Sequence, residues 1–245
     1  MGRPIVKQSG QGCHAWGGGG QDSGVRIFDV LLEGFMDSSR SAGRRPVPYF
    51  CQWESAHLAG AIIRKELRLE DDPAWPASGA RDVTEYARWA SHVCGMACLK
   101  MVLAAETGLV HPTLELARRS LPYGAYTEDA EGHIKGMIYA PFVRFVAEQF
   151  GLQAQVRVDV RADELPAVMN GAAYFMASVH PWIRWPEREP PARGGHLVLV
   201  TRATPGHVTF HNPSGEPGAQ ADACVPMAAF ERAFAGRGVA ILRAA

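Results

Sequence analysis

The sequence has no excess of either charge, no long apolar run, no internal repeat and no even set of cysteines, and each absence removes a class of protein. Lysine plus arginine number 25 and aspartate plus glutamate also number 25, so there is no basic field to hold nucleic acid or an anionic membrane. No stretch approaches the roughly 18 consecutive apolar residues of a membrane-spanning helix, and Met1-Gly2-Arg3-Pro4 leads into a glycine-rich run instead of an apolar signal core. These absences point to a cytoplasmic protein with no nucleic-acid partner and no segment inserted directly in a membrane. The five cysteines (Cys13, Cys51, Cys94, Cys98 and Cys224) are an odd number in a chain of 245 residues, which predicts reduced thiols and not a disulfide framework. Cys94 and Cys98 lie four apart near His92, but the paired Cys-x-x-Cys of structural zinc sites is missing, so neither a metal nor another cofactor is expected.

What is present is enough apolar sequence to fold: 47% of the residues are hydrophobic and 20% charged. Residues 1–45 carry Gly17 to Gly20, Ser38 to Ser41 and Arg44-Arg45, the composition of a loosely ordered N-terminal arm, and a single catalytic-size domain is expected over 46–245. Apolar spacing predicts helices from about Cys94 to Ala105, stopped by Gly108, and from about Ala140 to Phe150, stopped by Gly151. Alternation predicts a half-buried strand over 152–160, then a short helix over 163–170, and the apolar run 172–179 predicts a more buried strand. HLVLVT (196–201) and HVTFH (207–211), joined through Pro205-Gly206, read as a hairpin, and a helix at 226–234 and a strand at 239–242 close the chain. Helices first and strands later make an α+β protein, with a cleft between the two layers.

Two residues stand out chemically. Cys94 lies at the start of the first helix, where unpaired N–H groups and the positive dipole end favour a thiolate, and Gly95 lets a carbonyl approach the Cys94 N–H. Across the expected cleft, Gly194-Gly195-His196 opens an apolar strand, so an imidazole can face the thiol. His211 alternates to the other face of its strand and is not the expected base.

Four blocks occur in order: Val47-Pro48-Tyr49-Phe50-Cys51-Gln52, Cys94-Gly95-Met96-Ala97-Cys98, Gly195-His196-Leu197-Val198-Leu199-Val200 and Asn212-Pro213. Together they resemble the bacteriocin-processing, double-glycine type cysteine peptidases of the papain-like superfamily and their free-standing relatives, over about residues 47–243. The resemblance implies a papain-like fold, with the nucleophile helix packed on an antiparallel sheet. It further implies Cys94 as nucleophile, His196 as base, Asn212 as the residue orienting His196, and Gln52 as a side-chain donor to the oxyanion. Asn212 stands where the family often has Asp. Gln52 lies far upstream of Cys94, which requires an insertion at about 54–90, with helices expected at 57–69 and leading to Trp89. Should Gln52 lie apart from the site, His92 or Ser91 would supply the donor.

The expected activity is hydrolysis of a peptide amide through an acyl-enzyme. The same residues would serve an acyl-transferase that forms amides from peptide or carrier-bound thioester donors, and a catalytically idle peptide-binding module is the third reading. Gly95, Gly195, Trp182 and Trp185 are the expected substrate contacts, the tryptophans lying in the proline-rich stretch 180–193 before His196. The partners implied are a peptide or an acyl carrier, and an exporter, if any, on a separate chain.

Overall fold

The computed structural model describes residues 46–243; the expected arm at 1–45 lies outside the described residues. Seven α-helices are described: α1 (Ala59–Ile63), α2 (Val83–Trp89), α3 (Cys94–Thr107), α4 (Thr113–Ser120), α5 (Tyr139–Phe150), α6 (Leu165–Gly171) and α7 (Met227–Ala233). The strands are β1 (Ala154–Arg157), β2 (Ala172–Val179), β3 (His196–Ala203), β4 (His207–His211), β5 (Ala223–Pro226) and β6 (Phe234–Leu242). They form one antiparallel sheet in the order β1-β6-β2-β3-β4-β5. This is the α+β arrangement expected, a helical half followed by an antiparallel sheet.

Side-chain alternation in the sheet explains why its central strands read as continuous apolar runs. Tyr174 and Met176 of β2 and Leu197 and Leu199 of β3 join α3 and α5 in one core. Phe175 and Ala177, with Val198 and Val200, pack against α6 and α7 on the opposite face. Both faces are covered, so both sets are apolar.

Helix α3 carries the same logic further. Its residues from Gly95 to Ala105 are all buried, and Gly108 closes it in the left-handed region at φ 78°. The one charge in that buried stretch, Lys100, lies 3.5 Å from Glu54 and 3.3 Å from the Thr113 hydroxyl and stacks over the Phe50 ring.

The structure departs from the sequence expectations in four places. The helix expected over 57–69 is confined to a 3-10 turn, Ala56–Leu58, and α1, because Lys65 adopts a left-handed φ of 60° that a continuing helix cannot accommodate. The strand expected over 152–160 is shorter and more exposed: β1 sits at the sheet edge, with Val156 and Val158 facing outward. Strand β6 starts earlier than expected, because Gly236 and Gly238 hide its alternation. A Cβ at Gly238 would meet the Met176 carbonyl oxygen at 2.3 Å, so only glycine allows this approach of β6 to β2. Finally, Cys51, Cys94 and Cys98 are free thiols but Cys224 is disulfide-bonded. An odd count excludes complete pairing and not a single bridge, so the cysteines no longer point to a reducing compartment.

Candidate active site

The site is assembled where β3 begins, β4 ends and α3 begins. Gly194 and Gly195 both take positive φ, 85° and 94°, and turn the chain so that His196 enters β3 with its ring buried. Gly194 is close to Ala235 and the Ser178 hydroxyl, whereas the space beside Gly195 is open. The hairpin pairing of β3 with β4 brings Asn212, the residue after β4, back to His196 across 16 positions of sequence.

The imidazole is held in one tautomer. His196 Nε2 lies 2.9 Å from Asn212 Oδ1, and that oxygen also accepts the Ser214 backbone N–H at 3.1 Å. A backbone N–H can only donate, so the atom facing it is the carboxamide oxygen and not its NH2. An oxygen facing Nε2 requires the ring proton on Nε2, which leaves Nδ1 with its lone pair free to take a proton. The Asn212 carbonyl accepts from the Tyr49 hydroxyl at 3.0 Å, so Asn212 is fixed at both backbone and side chain.

Cys94 is the first residue of α3, reached through Val93, which offers no side-chain cap. Its sulfur lies against the backbone N–H groups of Leu197 and Gly95, which favour the thiolate, but burial outweighs them and pushes the thiol up from its ordinary value. Burial likewise pushes His196 down, to about 4; the Asn212 hydrogen bond opposes this and the Arg184 charge adds to it. Both shifts run against the thiolate–imidazolium pair that the helix terminus would favour. Among the described residues no hydrogen bond joins Cys94 to the ring. They are brought together through Leu197, which follows His196 and whose side chain would lie 3.2 Å from a Cβ at Gly95.

Gln52 is buried, at 4% exposure, and is tied to the same corner. Its backbone N–H donates to Pro213 O at 2.8 Å, and Cys51 Sγ lies 3.0 Å from the same oxygen. Its Oε1 is buried without a hydrogen-bond partner. The 54–90 insertion holds this segment from the other side: the Tyr86 hydroxyl accepts the Glu54 N–H and donates to buried Asp72, which also accepts the Ser55 N–H. The sequence separation of Gln52 from Cys94 is thereby absorbed without carrying Gln52 away from Pro213.

The other expected contacts fall as follows. Trp182 and Trp185 pack on one another, with ring centres 6.3 Å apart, and Arg188 lies over Trp185. Ser91 and His92 are exposed, and the His92 N–H closes a turn on Trp89. His211 is structural: its Nε2 donates to Val47 O and its Nδ1 accepts the Asp222 N–H. Asp129, Glu131 and His133 gather ligand-type atoms within 4.8 Å of one another on a separate loop, where Asp129 is already bonded to His133.

Sequence reasoning missed Ser214, whose hydroxyl lies 3.1 Å from His196 Nε2. It also missed what Arg184 does: its guanidinium turns inward to Ser214. Tyr126 was missed too, a buried phenol with no hydrogen-bond partner, 3.2 Å from where a Gly95 Cβ would be. The only sequence hint was the Asn-Pro-Ser-Gly run immediately after a strand.

Among the solved structures that this chain resembles are three peptidases. The peptidase domain of Streptococcus ComA, a bifunctional ABC transporter involved in a quorum-sensing pathway, is 15% identical, with 63% of this chain and 93% of that one covered at a TM-score of 0.43. A double-glycine motif protease from an AMS/PCAT transporter, in complex with the leader peptide, is 18% identical over 83% of this chain and 96% of that one, at 0.42. A C39-like peptidase from Bacillus anthracis is 14% identical over 63% and 90%, at 0.44. No family model and no curated protein matches the chain. The roles of individual residues rest on the geometry above and not on these likenesses.

Proposed function

We propose that the chain is a cysteine peptidase that cleaves a peptide amide, with Cys94 as nucleophile, His196 as base and Asn212 as the residue orienting His196. The observation that carries this reading is the fixed tautomer: the Ser214 N–H on Asn212 Oδ1 leaves His196 Nδ1 as a free base, one residue from the Leu197 backbone against which Cys94 lies. The choice of a peptide substrate draws on the resemblance of the four sequence blocks.

Since both shifts favour the neutral partners, the Cys94 proton passes to Nδ1 as sulfur attacks the carbonyl carbon. The charge that develops on the carbonyl oxygen is taken by the Cys94 N–H and by the carboxamide N–H of Gln52. The imidazolium then gives its proton to the departing amine, and water, deprotonated by the same nitrogen, releases the acyl group from sulfur. Met137 and Leu197, packed beside Gly95, limit the water near the thiol.

The test is turnover of peptides carrying a Gly-Gly cleavage point, with and without an added amine. Hydrolysis in water that is lost in Cys94→Ala supports the peptidase. Product formed only with the amine present assigns the chain to acyl transfer, and tight peptide binding without turnover assigns it to a binding module.

A further inference from the structure

The Pro181–Arg184 turn lies next to the site but contributes none of the residues assigned so far. Its last residue, Arg184, donates from Nε to the Ser214 carbonyl at 2.6 Å and from a terminal nitrogen to the Ser214 hydroxyl, also at 2.6 Å. Ser214 is 1% exposed and faces the imidazole and the Asn212 carboxamide with two different groups: its hydroxyl is 3.1 Å from His196 Nε2, and its N–H donates to Asn212 Oδ1. Asn212 Nδ2 has no partner, so nothing on that side of the carboxamide prevents it from turning over. The Ser214 N–H is what selects oxygen over nitrogen, and Arg184 holds both other polar groups of Ser214.

We propose that Arg184 is a positioning residue for His196: through its two-pronged grip on Ser214 it fixes the Asn212 carboxamide with oxygen toward the ring, and so keeps the ring proton on Nε2. This rests on the reading of His196 as the base. A guanidinium is suited to the task because its Nε and terminal N–H groups form a rigid fork, which matches a carbonyl and a hydroxyl of one residue; an ammonium has no such fork. The charge has a second effect. Arg184 lies close enough to His196 to disfavour the imidazolium, adding to burial in keeping the base neutral. The other titratable and charged groups at this corner are Cys94 and Cys98 from α3, Tyr49 and Cys51 from the N-terminal segment, and Glu216 from the loop after β4, whose charge acts on Arg184.

A loop staple with no influence on the base would leave the His196 titration alone, so the experiment is an NMR titration of the His196 ring in the full chain, run beside kcat and KM. In Arg184→Gln, which loses both charge and fork, the ring pKa should rise by about one unit, with kcat lowered about tenfold and KM within about twofold, roughly the loss of one charge-assisted hydrogen bond. In Arg184→Lys, which keeps the charge, the titration should stay near that of the parent while kcat falls partway. Ser214→Ala, a smaller change if the arginine variants fold poorly, should lower kcat without raising the ring pKa, and Arg184→Lys added to it should cost little more. An unchanged titration in folded Arg184→Gln, or kcat losses that simply add in the double variant, would overturn the proposal. The titration needs no turnover. A parent that is inactive while Arg184→Gln moves the ring pKa sinks the peptidase reading and leaves the positioning role standing.

Discussion

The two halves of the site are built differently. On the imidazole side, His196, Asn212, Ser214, Arg184 and Tyr49 are joined by six hydrogen bonds, and His196 Nε2 and Asn212 Oδ1 each take part in two of them. On the thiol side, Cys94 begins a buried helix, the Tyr126 hydroxyl lies near Gly95 without a hydrogen-bond partner, and no hydrogen bond among the described residues holds the Cys94 side chain to the imidazole. Buried polar atoms left unpaired cost stability in the free protein. Under the proposed reading, the base side is tied together by hydrogen bonds before substrate binds, and the thiol side is the less connected half.

Substitutions on the two sides should therefore fail in different ways. The largest expected effect is on turnover: Gln52→Ala should lower kcat roughly 10²- to 10³-fold with a smaller effect on stability to denaturant, since Oε1 of the side chain gives up no hydrogen bond. A large loss of stability with unaltered kcat would break the contrast. Next comes Asn212→Ala, which strands the Ser214 N–H and leaves His196 Nε2 with only the Ser214 hydroxyl. It should cost about 2 to 3 kcal/mol in chemical denaturation as well as activity.

The acid side offers a smaller effect that needs no substrate. With the folded His196 held near 4, the unfolded chain, whose histidine titrates near its ordinary 6.5, binds the proton more readily between those values. Stability should thus fall as pH drops below about 6.5 and stop falling, as far as this group is concerned, near 4. At pH 5 the contribution is roughly 2 kcal/mol, and His196→Gln should be spared that much of the acid loss, which urea titrations at pH 7 and pH 5 would measure.

The same contrast runs through what the sequence makes legible. Helix α3, the β3–β4 hairpin and the cysteine and histidine at their ends could be read from local spacing, because each depends on a periodic apolar pattern with a glycine stop or turn nearby. Ser214 and Arg184 could not. They meet across 30 residues through loop geometry, and a serine after Asn-Pro or an arginine between tryptophans has no periodic signature. Gln52 was placed only by the resemblance of its block; its anchoring on Pro213 and the support from Asp72 and Tyr86 depend on contacts that no spacing encodes. Arg184, between the two tryptophans expected at the substrate, turns instead to Ser214.

The most direct test of the account is to react the full chain with a peptide ester of a good leaving group, its acyl part ending in Gly-Gly, quench in acid and map the adduct by intact mass and peptide digestion. The account predicts one acyl group on Cys94, formed more slowly in His196→Ala and absent in Cys94→Ala. A folded parent that acquires no adduct, or a Cys94→Ala protein that acquires the same one, would contradict it.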